Sequence, residues 1–179
     1  MDAYYTGKGD DGTSGLMGGK RLGKDSQVFE ALGNLDELNC SIGICMMHSR
    51  DKATTKELAA IQNDLFSIAA IIAASESGKR IEKVRVPDSR KLEDAIGRVG
   101  KKLPKLGKFV MPQGTVASSN LQLARAVCRR AERSMVRLNG DSAEYGSALR
   151  YMNRLSSFLY VAALRENMLK GVKERNPTY

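Results

Sequence analysis

In four long stretches of this 179-residue chain the apolar side chains recur at alternating steps of three and four. That spacing puts them on one face of an α-helix and leaves little room for a sheet. Val28, Ala31, Leu35, Leu38, Ile42 and Cys45 predict a helix over 26–50; Leu58, Ile61, Leu65, Ile68 and Ile72 predict a second over 54–75, with Thr54 as its N-cap. Leu121, Ala124, Cys128, Ala131, Met135 and Leu138 keep heptad spacing over 117–138, and Asn139-Gly140 ends that helix. Leu149, Met152, Leu159 and Ala163 mark a helix over 142–170. A weaker amphipathic stretch over 89–102, interrupted by Gly97 and Gly100, follows an exposed connection over 77–88. No period-two run is long enough to require a sheet. The expected fold is all-α, a five-helix bundle behind a glycine-rich N-terminal loop that holds seven glycines in its first 24 residues. It forms one domain over 1–179: a loop at 1–25, the bundle at 26–170 and a tail at 171–179.

The N-terminus is polar where a secretory signal needs an apolar stretch, and no apolar run reaches the roughly 20 residues that cross a bilayer, so the expected setting is cytoplasmic, with no membrane partner. Cys40, Cys45 and Cys128 fall inside helical patterns without C-x-x-C spacing, which argues against a disulfide framework or structural zinc. The formal net charge of +9 calls for an anionic partner: nucleic acid, a membrane surface or a phosphorylated small molecule.

Where the charges sit narrows that choice. Arg125, Arg129 and Arg133 are four apart and stack into one ridge pointing away from the heptad seam. Stacked like charges cost a few tenths of a kcal/mol per pair, so the ridge is either a solvated face or meets an anion, for which the planar guanidinium fork is suited. Glu132 can neutralise part of it, and Asp36 and Glu37 are acidic candidates beside the seam of the first helix. Gly7-Lys8-Gly9-Asp10-Asp11-Gly12 fits G-x-G-x-x-G in letters only, because six residues before it leave no room for a strand. A Walker A loop is excluded too, since Gly18-Gly19-Lys20 is followed by Arg21. The segment is then either a mobile terminus or a wrap for polyphosphate built from backbone N–H groups with Thr6, Thr13, Lys8, Lys20 and Lys24. Asn153, beside the apolar face of the last helix, either fixes packing or reads a ligand. The lone His48 excludes a di-iron carboxylate bundle and gives no support to Ser-His or Cys-His catalysis.

Five strings in this order, YTGKGDDGTSG, EALGNLDELN, FVMPQGT, RAVCRRAER and LRYMNRLSSFLY, resemble the PduO-type ATP:cob(I)alamin adenosyltransferases over roughly residues 5–165. The resemblance implies transfer of the 5′-deoxyadenosyl group of ATP to the Co(I) of cobalamin or another corrinoid, with release of triphosphate. It also implies a homotrimer with active sites between subunits, a reductase supplying Co(I), and a B12-dependent enzyme receiving the product. On this pattern the leader closes over ATP through Thr6, Gly7, Lys8, Gly9, Gly12, Thr13 and Lys24. Arg129, Glu132, Arg133 and Asn153 match positions that hold ATP or its Mg²⁺, with Glu132 the candidate ligand to the metal. Arg125 matches an arginine paired with the residue equivalent to Asp36, and Phe109 an aromatic at the corrin's lower face. Arg129, Phe109 and Asn153 are thus the expected catalytic set. Two positions depart from the pattern: Asp11 stands where lysine is common, and Gln113 where glycine is common. A basic helical nucleic-acid-binding protein is the alternative; with 6% aromatics and no tryptophan it lacks a stacking platform.

Overall fold

The computed structural model describes residues 4–78 and 84–178. Five helices make up the bundle: α1 Gln27–His48, α2 Lys52–Ser77, α3 Ser89–Gly100, α4 Val116–Leu138 and α5 Ala143–Leu169. The connection expected over 77–88 is described up to Gly78 and again from Val84. α5 is the central element. It packs on α2, α3 and α4, and its Tyr145, Tyr151, Met152, Leu155, Phe158 and Leu159 are all buried.

The heptad seam of α4 is buried as the spacing requires, with Leu121, Ala124, Cys128, Ala131 and Met135 fully enclosed and Leu138 half-buried at its end. The N-cap of α2 is Asp51, not Thr54. The Asp51 carboxylate accepts from Ala53 N at 3.2 Å and also from the Thr54 hydroxyl at 3.1 Å, so a stronger acceptor three residues upstream moves the start of the helix and encloses Thr54. By length and composition alone α2 is apolar enough to span a membrane. Its apolar face instead enters the bundle core, where Leu58, Ile61, Leu65, Ile68 and Ile72 are buried.

The five-helix, all-α bundle is as expected; the leader, expected as loop, carries in addition one short ribbon. Thr13–Gly15 (β1) and Arg21–Gly23 (β2) pair antiparallel, with Ser14 opposite Leu22. Leu16 opens the turn, accepting from Gly19 N at 3.1 Å and donating its own N–H to Lys20 O at 2.8 Å. Gly18 and Gly19 both take positive φ in this turn, which is why a strand pair this short forms from a sequence without β-branched runs. Leu16 is buried in the bundle core, and Lys20 Nζ binds Glu76 at 3.0 Å; the ribbon is therefore fastened to the end of α2.

Cross-helix bonds show how α1, α4 and α5 run. Tyr145 Oη donates to Met135 O and Asn153 Nδ2 to Glu132 Oε1, so α4 and α5 run antiparallel. Ser49 Oγ donates to Glu166 Oε1, which joins the C-terminal ends of α1 and α5. The leader, entering α1, consequently lies at the end of the bundle where α4 finishes. The loop carrying Phe109 lies at the opposite end, where α4 starts.

Candidate active site

At the leader end the backbone is folded tightly around basic groups. Asp10 N donates to Gly7 O and Gly12 N to Gly9 O, both at 3.2 Å, while Lys24 N reaches Gly12 O at 2.9 Å. Lys24 Nζ donates to Gly9 O at 2.7 Å, and Lys8 N bonds weakly to the Thr6 hydroxyl at 3.4 Å. Of the expected ATP-binding residues, Thr6, Gly7, Lys8, Gly9, Gly12, Thr13 and Lys24 are thus gathered into one structure. Arg21, which sequence reasoning used only to exclude a Walker loop, is at its centre: its guanidinium binds Lys8 O, the Thr13 hydroxyl and the Asp11 carboxylate. Asp11, the departure from the family pattern, accepts from Thr13 N at 2.9 Å and from the Thr13 hydroxyl at 2.7 Å. These two bonds, the hydroxyl first, with Arg21 adding its charge, hold its carboxyl below the usual value. The residue that removes a positive charge here therefore ties the turn together.

The ridge on α4 divides by role. Arg130, which is not on the ridge, is taken by the fold: its Nε donates to Asn34 Oδ1 at 3.0 Å and its guanidinium pairs with Glu37 on α1. Arg129 and Arg133 are exposed, and among the described residues neither has an ion-pair or hydrogen-bond partner. Arg125 is half-buried, donates Nε to Gln122 Oε1 at 2.9 Å and lies over the Tyr160 ring. The expected Arg125–Asp36 pair is not made within one chain. Asp36 is exposed, and its neighbour Glu37 occupies the α4-facing position about 100° away around α1.

Asn153 is oriented from both sides. Its Nδ2 donates to Glu132 Oε1 at 3.1 Å and its Oδ1 accepts from Arg154 Nη1 at 2.8 Å, while Arg154 Nε is held by Glu93 Oε1 on α3 at 2.7 Å. Among the described residues no group of three or more His, Cys, Asp or Glu is placed to hold a metal unaided. Glu132 offers one carboxylate, which suits Mg²⁺ because that ion takes one or two carboxylates and fills its remaining positions with phosphate oxygens and water.

Phe109 stands at the far end, 79% exposed, on the rim of an open cleft of about 740 Å³ lined by Leu106, Lys108, Tyr160, Asn176 and Pro177. The ring takes no part in the core and is open to whatever enters the cleft. Tyr160 was missed in the sequence because it reads as one more apolar position of α5; burial, and less strongly Glu174, raise its pKa, with Arg125 opposing. Among the described residues no hydrogen bond or ion pair joins the leader to Arg129, Arg133 or Phe109.

A family model described as cobalamin adenosyltransferase matches residues 4–166. The corrinoid adenosyltransferase of Citrobacter freundii is 37% identical over 174 residues, covering 96% of this chain and 99% of that one. That of Bacillus subtilis is 36% identical over 172 residues, covering 94% and 88%, and the corrinoid adenosyltransferase MMAB of Homo sapiens is 35% identical over 178, covering 96% and 71%. Among solved structures, a phenylalanine-to-alanine variant of the PduO-type ATP:corrinoid adenosyltransferase from Lactobacillus reuteri, complexed with cobalamin and ATP, superposes with a TM-score of 0.91. It is 28% identical, and the match covers 99% of this chain and 100% of that one.

Proposed function

Because the chain belongs to the cobalamin adenosyltransferase family, it is an ATP:corrinoid adenosyltransferase, and we propose that Arg129 and Arg133 are the groups with which it grips the triphosphate. The observation that carries this is the contrast inside one helical turn: Arg130 is neutralised by Glu37, while its neighbours Arg129 and Arg133 are exposed and have no acidic partner among the described residues. Two unpaired guanidinium groups one turn apart are kept for an anion that arrives.

In this reaction the Co(I) of the corrinoid substrate attacks C5′ of ATP. A Co–C bond forms as the C5′–O bond breaks, and the electron pair leaves with triphosphate. Cobalt supplies the nucleophile, so no side chain has to act as a base. The protein aligns the two substrates and stabilises charge gathering on the leaving oxygens, the work assigned to Arg129, Arg133 and the leader's backbone N–H groups with Lys8 and Lys24. Mg²⁺ adds positive charge at those oxygens when bound. Glu132 would be the residue to hold it, and Asn153, held by Arg154, bonds that carboxylate and fixes its direction. Phe109 takes the lower face of the corrin, where an apolar ring displaces the lower axial ligand and makes Co(II) easier to reduce.

The placement of the parts favours a homotrimer with shared sites. α4 has 23 residues and so spans about 34 Å. The leader and Phe109 of one chain sit at its opposite ends, farther apart than one ATP and one corrin cobalt in contact allow. We infer that the leader of one subunit closes over the site of its neighbour, with Asp36 meeting Arg125 across that boundary. A reductase supplies the Co(I), and a B12-dependent enzyme takes the product; the setting is cytoplasmic, and the whole of 1–179 acts as one domain. Thermal unfolding with MgATP tests the assignment. A nucleotide at about 100 times its dissociation constant adds roughly 2.7 kcal/mol to the native chain, and Arg133→Ala should lose most of that increment; a full increment in the variant would remove Arg133 from the site.

A further inference from the structure

The Asn167 carboxamide, 1% exposed at the end of α5, is bonded to three separate segments. Its Nδ2 donates to Gln113 O and to Glu174 Oε1, both at 3.0 Å, and its Oδ1 accepts from Thr115 N at 2.9 Å. One buried side chain therefore joins the 109–114 loop, the C-terminal tail and the first residue before α4. Buried polar groups satisfied this fully fix the geometry around them, because releasing any one partner leaves an unpaired group in the interior.

The tail passes that constraint on. Arg175 O accepts from Met111 N at 2.8 Å, and Asn176 Nδ2 donates to Phe109 O at 2.7 Å. The Phe109 ring is exposed, so packing does not hold it; the position of its backbone does. Gly114 shows how closely the loop must approach. It adopts φ +133, and a Cβ there would overlap the Asn167 carboxamide. Gln113, whose side chain departs from the family pattern, contributes through its backbone carbonyl, which explains why the substitution leaves this arrangement intact.

We propose that Asn167 is the positioning residue for Phe109, setting the ring's place against the corrin through the loop on one side and the tail on the other. The proposal rests on the corrin-facing role of Phe109 given above.

Asn167→Asp tests it at pH 8, since it keeps the size and the acceptor for Thr115 N but turns an acceptor toward Gln113 O and Glu174. Two measurements are read: hydrogen exchange of the Met111 amide in the unliganded protein, and the fraction of bound Co(II) cobalamin whose lower ligand is displaced with MgATP, from its visible spectrum. Met111 exchange should quicken about tenfold and the displaced fraction fall severalfold, while the dissociation constant for MgATP stays within about twofold. Adding Glu174→Gln returns a donor opposite the new carboxylate and should recover part of both readings, since Gln113 O still lacks its donor. Glu174→Ala, which leaves Asn167 itself in place, should move both in the same direction by less and serves if Asn167→Asp does not fold. Unchanged Met111 exchange and an unchanged displaced fraction in Asn167→Asp would overturn the role. A native chain that displaces no lower ligand would instead sink the functional reading of Phe109, and this role with it.

Discussion

The guanidinium of Arg125 lies over the ring of Tyr160, 5.6 Å from its centroid. Arg125 heads the ridge proposed to meet ATP, and Tyr160 lines the cleft beside Phe109, so on that proposal this stack would join the nucleotide half of the site to the corrin half within one chain. A guanidinium over an aromatic face is worth about 0.5–1 kcal/mol where solvent is near.

Tyr160→Leu keeps apolar bulk and removes the ring's negative face. Combined with Arg125→Gln in a double-mutant cycle on kcat/KM for the corrinoid, it should give a coupling of about 0.5–1 kcal/mol. Strictly additive effects would mean the stack carries nothing between the two halves.

Arg130 and Arg129 are adjacent in sequence and should behave oppositely. Arg130→Ala removes a half-exposed ion pair and the bond to buried Asn34, costing about 1 kcal/mol of folding stability with nucleotide affinity intact. Thermal unfolding with and without MgATP separates these effects; a loss of nucleotide stabilisation in Arg130→Ala would contradict the division of roles.

Arg154 serves Asn153 through a geometry that lysine cannot copy, since one planar group spans Glu93 and Asn153. Arg154→Lys should lower kcat/KM for ATP about tenfold, or about 1.4 kcal/mol of transition-state stabilisation. A steady-state assay showing wild-type values would leave Asn153 without need of a brace.

The Asp11 turn should be insensitive to pH until strongly acidic conditions. Its donors favour the ionised carboxylate, so its native pKa lies below the ordinary 3.8. A group depressed in this way holds the turn at every pH above its unfolded value and releases it as pH falls through the native one. The Thr13 amide resonance should follow a single acid titration whose midpoint lies below 3.8. A midpoint at or above 3.8 would show that the carboxylate does not fasten the leader.

The helices were legible because apolar spacing records which face is buried, and the α4 seam from Leu121 to Met135 is the clearest case. The ridge was legible for the same reason turned outward. Arg130 was not separable from it by spacing alone, because what distinguishes Arg130 is Glu37, 93 residues away. The β ribbon was hidden because two three-residue strands carry no periodic signal, and their cause is turn geometry at Gly18 and Gly19. Tyr160 and Asn167 read as ordinary positions on a mostly buried helix. Their roles come from the loop and tail at that end of the bundle, which have no period to read.

The most direct test follows the visible spectrum of chemically reduced cobalamin with MgATP, comparing the native chain with Arg129→Ala. The native protein should form a light-sensitive alkyl-cobalt product, and the variant should lose nearly all of that rate while unfolding at the same temperature without ligand. A variant that alkylates cobalt at the native rate would contradict the claim that the exposed guanidinium row holds the triphosphate.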